Sequence, residues 1–402
     1  MRLVLRRVGA FALVLVLHAV PARAEPPLQH LAATVGADQG VYAVAGDGTV
    51  LLAQAEARAV HPASVTKVAT SLALLARLGA SYRFTTTFRG DGALRDGRLG
   101  GNLAVDGGGD PFLVDESALL VLRRLRAQGV RAVEGHVVAR GRLLFDWQPD
   151  PTGSRLQMVL AGHAGDAAHA TLARIAGAAA AVETPPLTFG GAAESPAGDR
   201  STSGGAPAAA LATVRSPILL HVVKALNCFS NNVFHFAADA VGGPRVVEEL
   251  ARACVPAAMR DEIVIENGAG AGAANRMSPR AVVALLQALS DELGRGGHEL
   301  GAALPVSGID PGTLEDRFRE QPALVIGKTG TSGSVGASAL VGALRTRRYG
   351  VVRFAVLNHG VAVPEARAHQ DAFVRALAAA TSAEPWPYAT AAVPPYLETI
   401  VE

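Results

Sequence analysis

Apolar positions along the chain alternate between a two-residue and a three-to-four-residue period. Val41-Tyr42-Ala43-Val44 and Val50-Leu51-Leu52 flank a turn carrying Asp47-Gly48, which predicts a β-hairpin. The run from Pro62 to Gly79 places Val68, Leu72 and Leu75 on one face between an opening proline and a closing glycine. That predicts a helix with Ser64 in its first turn. From Phe84 to Phe145 the pattern turns to short strands and glycine turns around one helix, Asp115 to Gln128, stopped by Gly129. Residues 147–212 carry Pro185-Pro186, Gly190-Gly191 and Ser203-Gly204-Gly205, a loop-rich stretch with one weak Ala-rich helix near 167–182. Ser216-Pro217 and Ser278-Pro279 each read as a cap followed by proline at the first helical position, opening helices toward Asn227 and Leu293. Strand-like runs then cover Ala323 to Lys328, Ser338 to Leu344 and Val351 to Leu357, followed by a helix from Ala366 to Ala379. This order predicts a main domain in two segments, 25–84 and 212–381, interrupted by an insertion over 85–211 and trailed by a Pro-rich tail, 382–402.

The chain begins differently. Arg2, Arg6 and Arg7 precede an apolar run from Val8 to Val20 and the small-residue site Ala22-Arg23-Ala24, the pattern of an export signal spanning residues 1–24. The run is shorter than the roughly 20 residues a bilayer requires, so a soluble, exported protein is expected. Cleavage removes four arginines and no acid, moving the formal charge from +2 to −2, so no basic stripe for nucleic acid is expected. With 50% hydrophobic residues and 18% charged, the 402-residue chain has ample material for a core and is neither disordered nor a disulfide scaffold. Cys228 and Cys254 are expected as small buried thiols, with a disulfide between them as the alternative that an oxidising compartment permits.

Composition also supplies the sharpest chemical clue. Of 37 basic residues only three are lysines, Lys67, Lys224 and Lys328. Two of them stand in short motifs, Ser64-Val65-Thr66-Lys67 and Lys328-Thr329-Gly330-Thr331, with Ser230-Asn231-Asn232 between. Taken singly these read as a helix start, a strand end and an Asn-rich turn. Together they describe a serine acyl-transfer site. Spacing of i and i+3 puts the Ser64 hydroxyl and the Lys67 amine on one helical face. A hydroxyl needs a base to become a nucleophile, and a lysine serves only if burial or a second cation lowers its pKa. Lys328 would depress Lys67 and attract an anionic group. Arginine cannot deprotonate in a protein and cannot take the place of Lys67.

This trio occurs in penicillin-binding proteins and serine β-lactamases. The flanking residues Pro62-Ala63-Ser64-Val65-Thr66-Lys67, Gly107-Gly108-Gly109-Asp110-Pro111, Val214-Arg215-Ser216-Pro217, Leu304-Pro305-Val306-Ser307-Gly308, Gly312-Thr313-Leu314 and Gly327-Lys328-Thr329-Gly330-Thr331 resemble the class C low-molecular-mass penicillin-binding proteins, the D-alanyl-D-alanine carboxypeptidase/endopeptidase family. The resemblance covers most of residues 38–380 apart from about 147–210, and the separation of 166 positions from Ser64 to Ser230 matches the family's habit of inserting domains there. It implies a mixed α/β transpeptidase fold shared with serine β-lactamases, an antiparallel sheet flanked by helices and interrupted by an inserted α+β domain. The implied function is hydrolysis of D-Ala-D-Ala or cross-bridge amides in peptidoglycan stem peptides, in the periplasm, without metal or organic cofactor and with covalent inhibition by β-lactams. The implied roles are Ser64 as nucleophile, Lys67 as base, Ser230 as proton donor to the leaving amine and Asn232 as a contact to the peptide. Lys328 would set the field, Thr329 and Thr331 would hold the terminal carboxylate, and the N–H groups of Ser64 and Thr331 would form the oxyanion hole across Gly330.

The sequence also departs from the family. Cys228 stands where relatives often carry lysine, and Asn267-Gly268-Ala269-Gly270 replaces a more usual Asp-Gly-Ser-Gly. Rival functions are a β-lactamase or esterase on the same scaffold and a non-catalytic cell-wall binding protein. His163 and His169 with Asp166 between them match no helical face and read as loop residues rather than a metal site, and His359 reads as a turn histidine.

Overall fold

The computed structural model describes residues 26–176, 184–193, 209–390 and 395–402. The predicted export signal and the end of the Ala-rich helix lie outside them. In chain order the main elements are β1 (Gly40–Val44), β2 (Val50–Gln54), α1 (Lys67–Leu78), β3 (Thr85–Gly90), β4 (Leu103–Gly108), α2 (Asp115–Ala127), β5 (Val137–Arg142), β6 (Ala210–Arg215), α3 (Leu219–Cys228), α4 (Pro279–Arg295), β7 (Ile326–Ser332), β8 (Ala337–Thr346), β9 (Gly350–His359), α5 (Val363–Thr381) and β10 (Ile400–Val401). Among the described residues no helix is long and apolar enough to cross a membrane.

The main sheet runs β7-β8-β9-β1-β2 and is antiparallel throughout. Its central strands are buried on both faces, which is why they read as continuous apolar runs. Ala339, Val341, Ala355 and Leu357 pack with Val282, Leu285 and Leu286 of α4 and with α1, while Leu340, Phe354 and Val356 pack with Phe373 and Leu377 of α5 on the opposite face. Phe354 and Phe373 meet edge to face, 6.2 Å apart.

Residues between α1 and α3 build a second sheet in the order β10-β6-β3-β4-β5, over a separate core that includes Phe88, Val105, Leu122, Leu125 and Val137. Its β10 comes from the other end of the sequence. The segment expected as a mere tail supplies Ile400 and Val401 as partners of Arg215 and Val214.

Local signals were followed unevenly. Ser278 caps α4 by accepting from the Ala281 N–H, with Pro279 at the first helical position. Ser216 does not cap α3, which starts at Leu219; its hydroxyl instead accepts from the Phe84 N–H and donates to the Pro217 carbonyl, tying α3 to the start of β3. The first predicted helix opens with a 3-10 turn, Ala63–Thr66, before α1 begins at Lys67. The stretch around Asp166 is helical, Asp166–Ala176, rather than loop. Both cysteines are free, and Cys254 is exposed rather than buried.

Candidate active site

In a 3-10 turn side chains three apart eclipse one another, so this turn aligns Ser64 and Lys67 more closely than an α-helix would. Lys67 Nζ lies 2.7 Å from Ser64 Oγ. The same nitrogen reaches Asn232 Oδ1 at 3.2 Å and the Ala269 carbonyl at 2.8 Å. A neutral amine has two N–H groups and one lone pair. The two carbonyl oxygens accept the N–H groups, and the lone pair is left facing the serine hydroxyl. Lys67 is wholly buried, and burial, reinforced by the charge of Lys328, lowers its pKa to about 6.

Lys328 enters from β7, the edge strand of the main sheet. Its amine donates to Ser230 Oγ at 3.0 Å and to the Thr329 carbonyl at 2.9 Å, and burial lowers its pKa to about 7. Gly330 lets this strand lie against the Ser64 turn, because a Cβ there would stand 2.6 Å from the Pro62 carbonyl and 3.1 Å from the Ser64 nitrogen.

Ser230 follows the C-terminus of α3. The Asn231 N–H bonds the Leu226 carbonyl at 2.9 Å and the Ser230 N–H bonds Asn227 at 3.2 Å, the pattern of a Schellman cap. Glycine is favoured at the left-handed position of such a cap, yet here serine adopts it, with φ of 53°. A backbone conformation that serine resists is held where its hydroxyl meets Lys328.

Ser64, Lys67, Ser230, Asn232 and Lys328 thus converge, although they come from distant parts of the sequence. Thr329 and Thr331 belong to another side of the strand. Thr331 pairs in register with Ser338, whose hydroxyl accepts from Gln370 of α5, and Thr331 Oγ1 accepts from Arg367 of the same helix at 3.1 Å.

The sequence profile described as the D-Ala-D-Ala carboxypeptidase 3 (S13) family matches residues 28–149 and 198–380. The chain belongs to that family. It is a serine-type D-Ala-D-Ala carboxypeptidase, a hydrolase with a mixed α/β fold. Solved structures share the fold at low identity. A predatory endopeptidase of Bdellovibrio bacteriovorus, Bd0816, solved with the immunity protein Bd3460, superposes with a TM-score of 0.72 at 19% identity, over 89% of this chain and 97% of that one. A second from the same organism, Bd3459, acylated by penicillin G in its complex with Bd3460, gives 0.71 at 17% identity over 89% and 96%. Penicillin-binding protein 4 of Haemophilus influenzae, complexed with a β-lactam, gives 0.61 at 17% identity over 88% and 98%.

Within this S13 carboxypeptidase, several site groups carry no side-chain signal in the sequence. The Ala269 carbonyl holds Lys67 from the Asn267–Gly270 loop, and the Gly268 carbonyl accepts from Thr70 Oγ1 at 2.6 Å. The loop that departs from the family pattern is therefore a wall of the site. Asn267 Oδ1 folds that loop by accepting from the Ala269 N–H. His61 accepts from the Ala63 N–H at Nδ1, so Nε2 carries the proton and donates to Gly272 at 2.8 Å, binding the nucleophile turn to the same loop. Cys228 is buried, and burial raises its thiol pKa to about 11, so it stays neutral beside Lys328.

Lys224, the third lysine, has a signal only in its scarcity. Its amine donates to the Gly301 carbonyl at 2.8 Å, to the Leu304 carbonyl at 2.7 Å and to Asp310, while Tyr388 donates to the other Asp310 oxygen at 2.8 Å. It fastens α3, and with it Ser230, to the 301–310 segment.

Proposed function

We propose that Ser64 is the nucleophile, Lys67 its base, and Ser230, Asn232, Lys328, Thr329, Gly330 and Thr331 the rest of the machinery for cleaving D-Ala-D-Ala and cross-bridge amides of peptidoglycan stem peptides. The observation that carries this reading is the 2.7 Å contact between Lys67 Nζ and Ser64 Oγ beside Lys328. Ser64 Oγ attacks the amide carbonyl as Lys67 takes its proton. The oxyanion meets the N–H groups of Ser64 and Thr331, contacts whose loss typically costs about 2.7–4 kcal/mol of barrier. Ser230, polarised by Lys328, relays to the leaving amine the proton that Lys67 took, and Asn232 binds the substrate peptide. Water then hydrolyses the acyl-enzyme. A β-lactam offers the same carbonyl and leaves an acyl group on Ser64. Residues 1–24 direct export to the periplasm, where the polymer lies, and 85–211 form a domain inserted into the catalytic one.

The test is incubation with a fluorescent penicillin, followed by gel and intact mass. The wild-type protein is expected to acquire one persistent adduct on Ser64, and Ser64→Ala and Lys67→Arg none. Labelling of Ser64→Ala would sink the assignment, and rapid loss of the label would favour a β-lactamase instead.

A further inference from the structure

Beyond α5 the chain turns back across the molecule. Trp386 donates its N–H to the Ala323 carbonyl at 2.8 Å and its indole N–H to the Ala343 carbonyl at 3.3 Å, which brings Tyr388 down on the 301–310 segment. The Tyr388 ring lies against Gly301, where a Cβ would stand 3.2 Å from it, and the Lys224 amine sits 5.0 Å from the ring centre. Its hydroxyl donates to Asp310. Burial, reinforced by that contact, holds the phenol pKa above its usual value, so the proton stays on the oxygen. The Lys224 ammonium has three N–H groups and commits them to two carbonyls and Asp310. Asp310 is only 3% exposed. Its Oδ2 accepts from Lys224 and, at 2.8 Å, from the Val306 N–H, and its Oδ1 accepts from Tyr388.

Asp310 also opens the turn that meets the end of α3. Gly312 takes a φ of 104° and packs so close that a Cβ would stand 2.3 Å from the Cys228 carbonyl, and the Thr313 N–H donates to that same carbonyl at 2.9 Å. One carboxylate thus governs two holds on α3 a helical turn apart, its own bond to Lys224 and the backbone bond to Cys228, two residues before Ser230. We infer that Tyr388 is a positioning residue for Ser230, fixing through Asp310 the two holds on α3 that keep the serine in its left-handed turn beside Lys328. This rests on the proposed proton relay by Ser230 and adds to it a residue from the segment that the sequence presents as a tail. Removing the hydroxyl leaves Asp310 Oδ1 buried without its partner. A carboxylate escapes that state by rotating or by admitting water, and either movement loosens the turn at Gly312.

The relay matters only where the leaving group needs a proton. In an amide the C–N bond breaks, its electron pair goes to nitrogen, and the nitrogen takes a proton from Ser230, which Lys67 restores. In a thioester the C–S bond breaks and sulfur departs with the pair as a thiolate, with no proton required. The experiment compares kcat/KM of wild type, Tyr388→Phe and Ser230→Ala on an acyl-D-Ala-D-Ala peptide and on the matching acyl-D-Ala thioester. Tyr388→Phe keeps the ring and loses only the hydroxyl. It should lose about 10-fold on the amide, the lower end for a hydrogen bond to a charged group, and stay within about twofold on the thioester, whose rate also reports the folded enzyme. Ser230→Ala should show the same selectivity more strongly. Equal losses on both substrates for Tyr388→Phe would mark the contact as merely structural, and no loss on the amide would detach it from Ser230; either overturns the inference while Ser230→Ala stays amide-selective. A Ser230→Ala that loses both substrates alike would instead sink the relay and the inference with it, and a wild type that cleaves neither would sink the acyl-transfer reading itself.

Discussion

At the scale of single residues, the site is built from side chains in states they resist. Ser230 sits in a left-handed conformation that costs an L-residue roughly 1–2 kcal/mol, and no other residue type offers both that turn and a small hydroxyl as cheaply. Ser230→Ala and Ser230→Gly both lose the hydroxyl, but only glycine relieves the backbone. Both should be inactive, and urea unfolding should show Ser230→Gly more stable than Ser230→Ala by about 1 kcal/mol. Equal midpoints would mean that the turn is not strained. The two buried lysines set the pH response. In the proposed roles Lys67 must be neutral to accept the Ser64 proton, so acylation should rise as pH passes about 6, and it should fall as Lys328 discharges above about 7. Rates of penicillin labelling from pH 5 to 9 would check this, and a rate still climbing well above 8 would contradict it.

At the scale of elements, what could be read from the sequence was whatever a side chain announces. Ser64, Lys67, Ser230, Asn232 and Lys328 were legible because lysine is scarce in this chain and the three motifs fall in order on a helix start, a helix end and a strand. The cap of α4 was legible for the same reason. Ser216 misled because the same hydroxyl can cap a helix or tie a strand, and only the nearness of Phe84 decides between them. The Ala269 carbonyl could not be found at all, since any residue type would present it. Arg367 was one arginine among many; only the packing of α5 brings it beside Thr331. Thr329 and Thr331 were placed by resemblance, and the pleat of β7 turns them to a different side from Lys328.

At the scale of the whole molecule, the two sheets are coupled through the last residues of the chain. β10 closes the edge of β6, Arg83 bonds both the Ser216 carbonyl at 2.6 Å and the Glu398 carbonyl at 2.9 Å, and β6 leads within a few residues to α3 and Ser230. Deleting residues 399–402 should strip protection from amide exchange in β6 and β3 while β8 and β9 keep theirs. Undiminished protection in β6 would show that the pairing contributes nothing.

The scarcity of lysine has a practical corollary. Lys67 and Lys328 are fully shielded, and the Lys224 side chain is 17% exposed with its amine tied down. Reactive acyl donors, penicillins among them, usually decorate surface amines as background, and this surface presents arginines where most proteins present such targets. A covalent tag found on the folded chain therefore reports acylation of a hydroxyl with almost no contaminating signal, and a digest that cuts only after lysine would leave the native protein nearly whole while breaking the unfolded one into four pieces.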